Sequence, residues 1–387
     1  MSELAPLLQA PYWSHGERQL ICTARHDETR DGDIVTATTF TFQTAPQASR
    51  FHYQPGQFLL LNVTIDGQPY SRAYSLCSAP TRPHQLAITV KRVAGGRVSN
   101  YLLDTLQPGM TLAALPPQGQ FHLSAQLPAA LLLLSAGSGV TPMMAITRTL
   151  RDLGLNTQIH FVYSARHAGD LIFRDELLAL AAQDENFHLT LLLEAMPNES
   201  VPNESVPDEN IPGESEPDEA MPLAGSRLVA GRLQAELLAE LTAGLADYQI
   251  YLCGPSGYID AVHGLLADPR YAGVALYEER FTAAASTPIS EAASSEATSA
   301  EFALSVPAFG SDSTIAADET LLDALEREGL PIIGACRAGV CGSCKCKVEA
   351  GSVESSSTLA LTPEQVAEGY VLACSSKATS DLQLTLG

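Results

Sequence analysis

The sequence predicts a multidomain β and α/β protein: an antiparallel β-barrel, then a parallel α/β unit, then a small C-terminal unit. Three observations predict it. In residues 1–127 short extended runs, QFLLLNV, LAITVKRV and GQFHL, are separated by turn residues, the pattern of an antiparallel barrel. In residues 128–282 strand-like and helix-like segments alternate, which calls for a parallel sheet with helices on both faces. In residues 301–387 the stretch ACRAGVCGSCKC (335–346) gathers four of the chain's eight cysteines.

The elements of the central unit follow in order. LLLLSA reads as a buried strand and PMMAITRTLRDLG as a helix. IHFVYSA and RDELLALAAQ repeat the pair. FHLTLLLE is a strand and GRLQAELLAELTAG a helix. YQIYLCG is a strand, SGYIDAVHGLLAD a helix, and VALYEERF a last strand. Two segments interrupt this order. Residues 196–222 place prolines at 197, 202, 207, 212, 217 and 222, with eight acidic residues and no Lys or Arg between them. Proline at that spacing forbids helix and sheet, so a solvated loop insertion is expected. Residues 283–300 are Ala/Ser-rich and read as a linker. In the last unit, DETLLDALEREGLP predicts a helix with Asp318 as its N-cap, Gly329 as its stop and Pro331 beyond. TPEQVAEGYVLAC predicts a second, with Thr362 as N-cap, Pro363 in the first turn and Gln365 completing a capping box.

The formal net charge is -22. Such a surface repels phosphates and anionic lipid, so neither nucleic acid nor membrane is an expected partner; a protein with a basic patch is. The N-terminal stretch has no basic segment ahead of a long apolar run, and AALLLLSAG is too short to span a bilayer. The expectation is a cytoplasmic chain, where stable disulfides are rare.

That compartment turns attention to metal binding. Cys336, Cys341 and Cys344 form C-x4-C-x2-C, and Cys374 follows after 29 further residues. This is the plant-type [2Fe–2S] spacing, in which four thiolates hold two sulfide-bridged irons. Small residues between them, Ala338, Gly339, Gly342 and Ser343, let backbone N–H groups turn towards the sulfurs. Zinc sites more often show two C-x2-C pairs, and here there is one. Cys346 is the spare, a small residue on a presumed strand. Residues 301–387 as a whole resemble a plant-type ferredoxin domain, which implies a β-grasp fold.

The cluster needs an electron source. Arg72 can pair with a phosphate, Tyr74 can pack on an aromatic ring and Ser75 can donate to a ring nitrogen. RAYS resembles the flavin-binding R-x-Y-[ST] motif of the ferredoxin–NAD(P) reductase superfamily. Gly96, Val98 and Ser99 resemble that family's second turn against the flavin pyrophosphate. AGSGVTPMM (136–144) follows a buried strand and opens a helix. Gly137 and Gly139 allow a tight turn, and Pro142 suits the first helical turn. It lacks the full G-x-G-x-x-G, but it resembles the superfamily's G-x-G-[VI]-T-P, which implies Thr141 near the nicotinamide. CGP, with Cys253, Gly254 and Pro255, resembles the family's C-G-P motif, expected at a strand end at the mouth of the site. Glu279 and Phe281 of YEERF resemble the E-x-F ending of the reductase core. Ser164 and Arg166 follow the second strand, where the resemblance places the adenosine ribose. Ser75, Cys253 and Glu279 are the implied catalytic groups.

The resemblance implies a flavin-binding barrel, a nucleotide-binding domain and a ferredoxin in one chain, with electrons passing from NADH through FAD and [2Fe–2S] to an acceptor protein. ACRAGVCGSCKCKV and SSSTLALTPEQVAEGYVLACS are most similar to the reductases of the hybrid cluster protein, which implies that acceptor and a role in nitric oxide or hydroxylamine reduction. Ring-hydroxylating systems use reductases of the same domain order, so an oxygenase component is the alternative acceptor. A non-catalytic iron–sulfur redox sensor is a third reading, against which the nucleotide motifs argue.

Overall fold

The computed structural model describes residues 12–13, 17–44, 50–195, 226–281, 301–332, 334, 339, 342, 344–358 and 361–386. The acidic insertion, the linker, Cys336 and Cys341 lie outside the described residues.

The first sheet contains β1 (Arg18–Asp31), β2 (Ile34–Thr44), β3 (Phe58–Ile65), β4 (Gln68–Ser75), β5 (Leu86–Lys91) and β6 (Thr111–Gln118). All its pairings are antiparallel, in the order β4-β3-β6-β1-β2-β5. A bridge between Leu76 and Ile88 draws the end strands β4 and β5 together into a near-barrel. Inside it pack Leu20, Phe40, Phe42, Leu59, Leu61, Ile88 and Val90. The helix α1 (Arg97–Thr105) plugs one end with Val98, Leu102 and Leu103. GQFHL, expected as a strand, is irregular. Phe121 leaves the barrel and meets the Tyr251 ring edge-on, with centroids 5.8 Å apart. Its burial belongs to the next domain's core, and the strand ends at Gln118.

The second sheet is parallel: β7 (Ala130–Ala136), β8 (Gln158–Ala165), β9 (Phe187–Leu193), β10 (Ser226–Ala230), β11 (Tyr248–Pro255) and β12 (Ala275–Phe281), in the order β10-β9-β8-β7-β11-β12. Strand alternation splits its core in two. Leu131 and Leu133 join α2 (Val140–Asp152) and α3 (Arg174–Gln183) on one face. Leu132 and Leu134 join α4 (Ala235–Thr242) and α5 (Ser256–Leu266) on the other. The order reverses at β7, so a crevice opens at the carboxyl ends of β7 and β11, where such sheets receive ligands. In sequence the acidic insertion falls between β9 and β10.

The third sheet has β13 (Glu301–Val306), β14 (Ser311–Ala316), β15 (Lys345–Ala350), β16 (Tyr370–Leu372) and β17 (Leu382–Leu386), in the order β14-β13-β17-β15-β16. Only β13 and β17 pair in parallel. Helices α6 (Leu321–Arg327) and α7 (Pro363–Ala367) accompany it. The N-cap of α6 is Thr320, whose hydroxyl accepts the Asp323 N–H, and not Asp318. A bridge between Thr320 and Lys377 holds the chain extended up to that point, so the helix starts later. The capping box of α7 forms as expected, with Thr362 and Gln365 satisfying each other's backbone N–H. Among the described residues, no helix is long and apolar enough to cross a membrane.

Candidate functional site

The barrel contributes two backbone segments to the crevice. β4 pairs along its length with β3, setting Ser75 opposite Phe58, Tyr74 opposite Leu59 and Arg72 opposite Leu61. The Arg72 guanidinium donates to the Ser71 carbonyl at 2.8 Å. Gly96 is the N-cap of α1, and no side chain caps that turn. Ser99 instead points its hydroxyl back at the Gly96 carbonyl, 3.4 Å away. The first N–H groups of the helix therefore have no intrahelical partner, which suits an anion. A Cβ at Gly96 would come within 2.6 Å of Ser99 Oγ and 2.9 Å of Val93 Cβ, so only glycine fits.

The parallel sheet contributes the facing wall. β7 ends in a single 3-10 turn, Gly137–Gly139, that runs into α2. Gly137 has φ +55, the left-handed region that glycine tolerates. The Tyr163 hydroxyl pins this turn by donating to the Gly137 carbonyl at 3.0 Å, while accepting the Ile172 N–H at 3.2 Å. A Cβ at Gly139 would approach the Cys253 carbonyl carbon to 2.5 Å, so helix and β11 touch backbone to backbone. The Thr141 hydroxyl donates to the Ser138 carbonyl at 2.9 Å. Pro142 is buried in the first turn of α2.

Inside the cleft a hydrogen bond joins the two walls. The Ser75 hydroxyl donates to Glu279 Oε2 at 2.9 Å, and both residues are buried. Glu279 lies on β12, opposite Cys253 in register. Cys253 is fully buried, and burial, with the neighbouring Glu279 charge, raises its thiol well above the ordinary range. The strand continues to Pro255, so Cys253 stands behind the lining and not at a strand end at the mouth. Gly254 packs against Tyr258 and Ala136, where a Cβ would come within 2.9 Å of the Tyr258 ring. Ser164 Oγ and the Tyr258 hydroxyl are buried beside each other without closing a full hydrogen bond. Arg166 is exposed.

Arg72, Tyr74, Ser75, Gly96, Val98, Ser99, Gly137, Thr141, Ser164, Arg166, Pro255, Glu279 and Phe281 all line one cleft of about 2960 Å³. Gly139, Pro142, Cys253 and Gly254 shape it from behind. The motifs did not point to Lys91, Tyr258 or Asp170, which line it too. Arg92, Arg97 and Arg232 in the same lining are neutralised by Asp104, Asp66 and Glu194. Among the described residues Lys91 and Arg166 carry no ion pair. On so acidic a chain, two cations without an ion pair in one cleft make that part of it attractive to an anion. Lys91 lies close to the glycine turn, 3.8 Å from where a Gly137 Cβ would stand. No sequence signal linked the end of β5 to that turn.

The ferredoxin-like domain borders this cleft with Asp323, Glu326, Ile332 and Gly334. Just beyond Gly334 comes the cysteine loop. Cys344 and Cys374 are buried. The Gly339 N–H donates to Cys374 Sγ at 3.2 Å, and the Cys374 N–H to Cys344 Sγ at 3.4 Å. Gly339 has φ +71, and a Cβ there would come within 2.6 Å of Ser357 Cβ. Thiols that receive backbone donors in a glycine-permitted loop fit thiolate ligation of an iron–sulfur cluster. Cys346 is fully buried in the domain core, its thiol pushed up to about 12 by burial and by Cys344.

Comparison with known proteins agrees with this geometry. An oxidoreductase FAD-binding domain family matches residues 34–123, an oxidoreductase NAD-binding domain family residues 133–264, and a 2Fe-2S iron-sulfur cluster binding domain family residues 309–379. The glycine betaine monooxygenase reductase subunit of Pseudomonas aeruginosa is 34% identical over 96% of this chain and 95% of its own length. NADH oxidoreductase HCR of Escherichia coli is 33% identical over 86% of this chain and 89% of its own. The solved structure of phthalate dioxygenase reductase shares the fold, with a TM-score of 0.57 and 21% identity over 96% of this chain and 98% of that one. The chain belongs to the family of NADH-dependent iron–sulfur flavoprotein reductases, oxidoreductases in which electrons pass from NADH to FAD and on to a [2Fe–2S] cluster.

Proposed function

We propose that this chain is the reductase component of an oxygenase, passing electrons singly to a separate terminal oxygenase protein. The observation that carries the acceptor class is the likeness to the glycine betaine monooxygenase reductase subunit, which runs through nearly the full length of both chains. A hybrid cluster protein, the acceptor favoured by the ferredoxin-end motifs, is the second reading. NADH oxidoreductase HCR supports it over a smaller share of this chain.

Within the site, the flavin supplies the conversion of a two-electron donor into single electrons. The chain's residues hold it and its donor. Arg72 and the uncapped N–H groups behind Gly96, at Val98 and Ser99, take the flavin phosphates. Tyr74, which lines the cleft, would pack on the ring. The Ser75 proton is directed at Glu279, so towards a bound flavin the hydroxyl would offer a lone pair and accept, where the sequence motif suggested a donor. Glu279 Oε2 is the next proton station. Gly137, Gly139, Thr141 and Pro142 shape the turn that receives NADH, with Lys91 as its cation. Ser164 and Arg166 take the ribose end. Pro255 and Phe281 wall the nicotinamide side of the cleft, and Cys253 and Gly254 support that wall from behind. Cys336, Cys341, Cys344 and Cys374 hold the cluster.

The test is anaerobic: the purified chain, NADH, and each purified candidate acceptor in turn. The oxygenase component should be reduced at a rate comparable to turnover. Reduction of the hybrid cluster protein alone would overturn the first reading.

A further inference from the structure

Arg148 lies in the middle of α2, outside the cleft lining, with its side chain only 15% exposed. Its guanidinium serves both domains at once. Nη1 donates to the Cys77 carbonyl at 2.6 Å, two residues beyond Ser75. Nε and Nη2 form a bidentate pair with Glu176 at 2.8 and 2.5 Å. Its plane lies over the Phe173 ring, 4.8 Å from the centroid.

From Phe173 the contacts return to the barrel. Phe173 is one of two non-glycine residues with positive φ among those described, at φ 59. Its N–H donates to Glu28 Oε2 at 3.2 Å. Glu28 Oε1 accepts the Thr39 hydroxyl at 2.6 Å, and Thr39 meets the Thr89 hydroxyl at 2.7 Å. Thr89 Oγ1 lies 3.5 Å from Cys77 Sγ. The circuit Cys77–Arg148–Phe173–Glu28–Thr39–Thr89–Cys77 therefore closes through both domains. A half-buried network whose members are paired to one another from both domains admits few alternative arrangements.

The two ends of the circuit carry the two motifs. Cys77 continues the strand end that bears Arg72, Tyr74 and Ser75. Arg148 stands seven residues after Thr141, two helical turns and about 10 Å along the same face of α2. Burial works against the Arg148 charge, but the Glu176 carboxylate outweighs it and keeps the guanidinium protonated. A lysine could not reproduce the fork, which needs fixed donors in three directions.

We propose that Arg148 is a positioning residue that sets the spacing between the flavin-bearing strand end and the nicotinamide-bearing turn, and so governs how fast NADH reduces the flavin. This rests on the assignment of Ser75 and Thr141 to those two ligands. The test uses the full-length, flavin-loaded protein and its Arg148→Lys variant. Stopped-flow absorbance gives the limiting rate of flavin reduction and the NADH dissociation constant. Amide hydrogen exchange over residues 171–177 reports the circuit without any turnover.

Arg148→Lys should lower the limiting rate by about tenfold or more, as expected when reacting groups are misplaced by a fraction of an ångström. The dissociation constant and flavin content should stay near wild type, and exchange at Phe173 should speed up. A limiting rate within about twofold of wild type overturns the proposal. So does a loss of flavin content with an unchanged rate per bound flavin, the mark of a merely structural residue. Should Arg148→Lys fail to fold, Glu28→Gln breaks the same circuit from the barrel side and must show the same slowing. Ser75→Ala, measured alongside, separates the two readings: an unchanged rate there overturns the site assignment itself.

Discussion

Replacing Gly139 by alanine puts one methyl group between α2 and β11. Gly139 has φ -62, so the backbone conformation is open to any residue and the effect is purely steric. The new Cβ would overlap the Cys253 carbonyl and lie 2.8 Å from the Gly254 nitrogen. These are backbone atoms of a strand still paired with β12 at that point, which cannot rotate aside. Relief requires the start of α2 to move outward by about 1 Å to reach ordinary contact distance. Overpacking of this kind costs about 1–3 kcal/mol of stability. The same displacement carries Thr141 and the glycine turn with it, and a shift of about 1 Å at a reacting centre costs up to 10²-fold in rate. Gly264→Ala is the matched control. Gly264 lies within α5 with nothing within 4 Å of its Cβ position, so alanine there should stabilise by about 0.5–1 kcal/mol. Urea unfolding and NADH-driven ferricyanide reduction read both quantities. If Gly139→Ala matched Gly264→Ala in stability and wild type in rate, the backbone contact between α2 and β11 would not be what sets the turn.

Three further outcomes are expected. Cys344→Ser and Cys374→Ser should remove the cluster absorbance while ferricyanide reduction persists, whereas Cys346→Ala should keep full iron content; iron loss in Cys346→Ala would reassign the ligands. Arg82 and then Thr81 hold the Asp152 carboxyl below its ordinary range. A carboxyl with a lower pKa folded than unfolded adds stability above its unfolded value and loses it as pH falls through the folded one. The partly exposed pair is worth about 1 kcal/mol or less, so the urea midpoint of Asp152→Asn should trail wild type near pH 7. The two should converge below about pH 4, and a gap persisting there would contradict the assignment. Thr362→Ala should cost about 1 kcal/mol through loss of the capping box, and an unchanged midpoint would show that α7 contributes nothing to cooperative stability.

The inner strands of the parallel sheet, β7, β9 and β11, were legible because they are buried almost throughout and read as apolar runs, whereas the edge strand β10 buries no residue and gave no such signal. The cysteine loop was legible because a cluster imposes its own spacing. What stayed hidden depended on partners remote in sequence. GQFHL has strand composition, yet Phe121 is claimed by Tyr251, 130 residues away. TLAALPPQ carries two prolines that argue against a strand, but they sit where the pairing with β3 shifts register and no ladder hydrogen bond is lost. Asp318 and Thr320 both offer N-cap chemistry, and only the bridge to Lys377 decides between them. Ser75 and Glu279 were each readable from motifs, but not that one would donate to the other. Lys91 and Arg148 belong to no motif, and only the packing of the two domains brings Lys91 to the glycine turn and Arg148 to the Cys77 carbonyl.

The central claim is an internal electron path from NADH to flavin to cluster. It is tested most directly by an anaerobic absorption spectrum of the purified protein, with flavin and iron quantified, before and after NADH is added. The account predicts a flavin spectrum with iron–sulfur shoulders, both bleached by NADH. Zinc in place of iron, or a protein without flavin that NADH leaves unchanged, would contradict it.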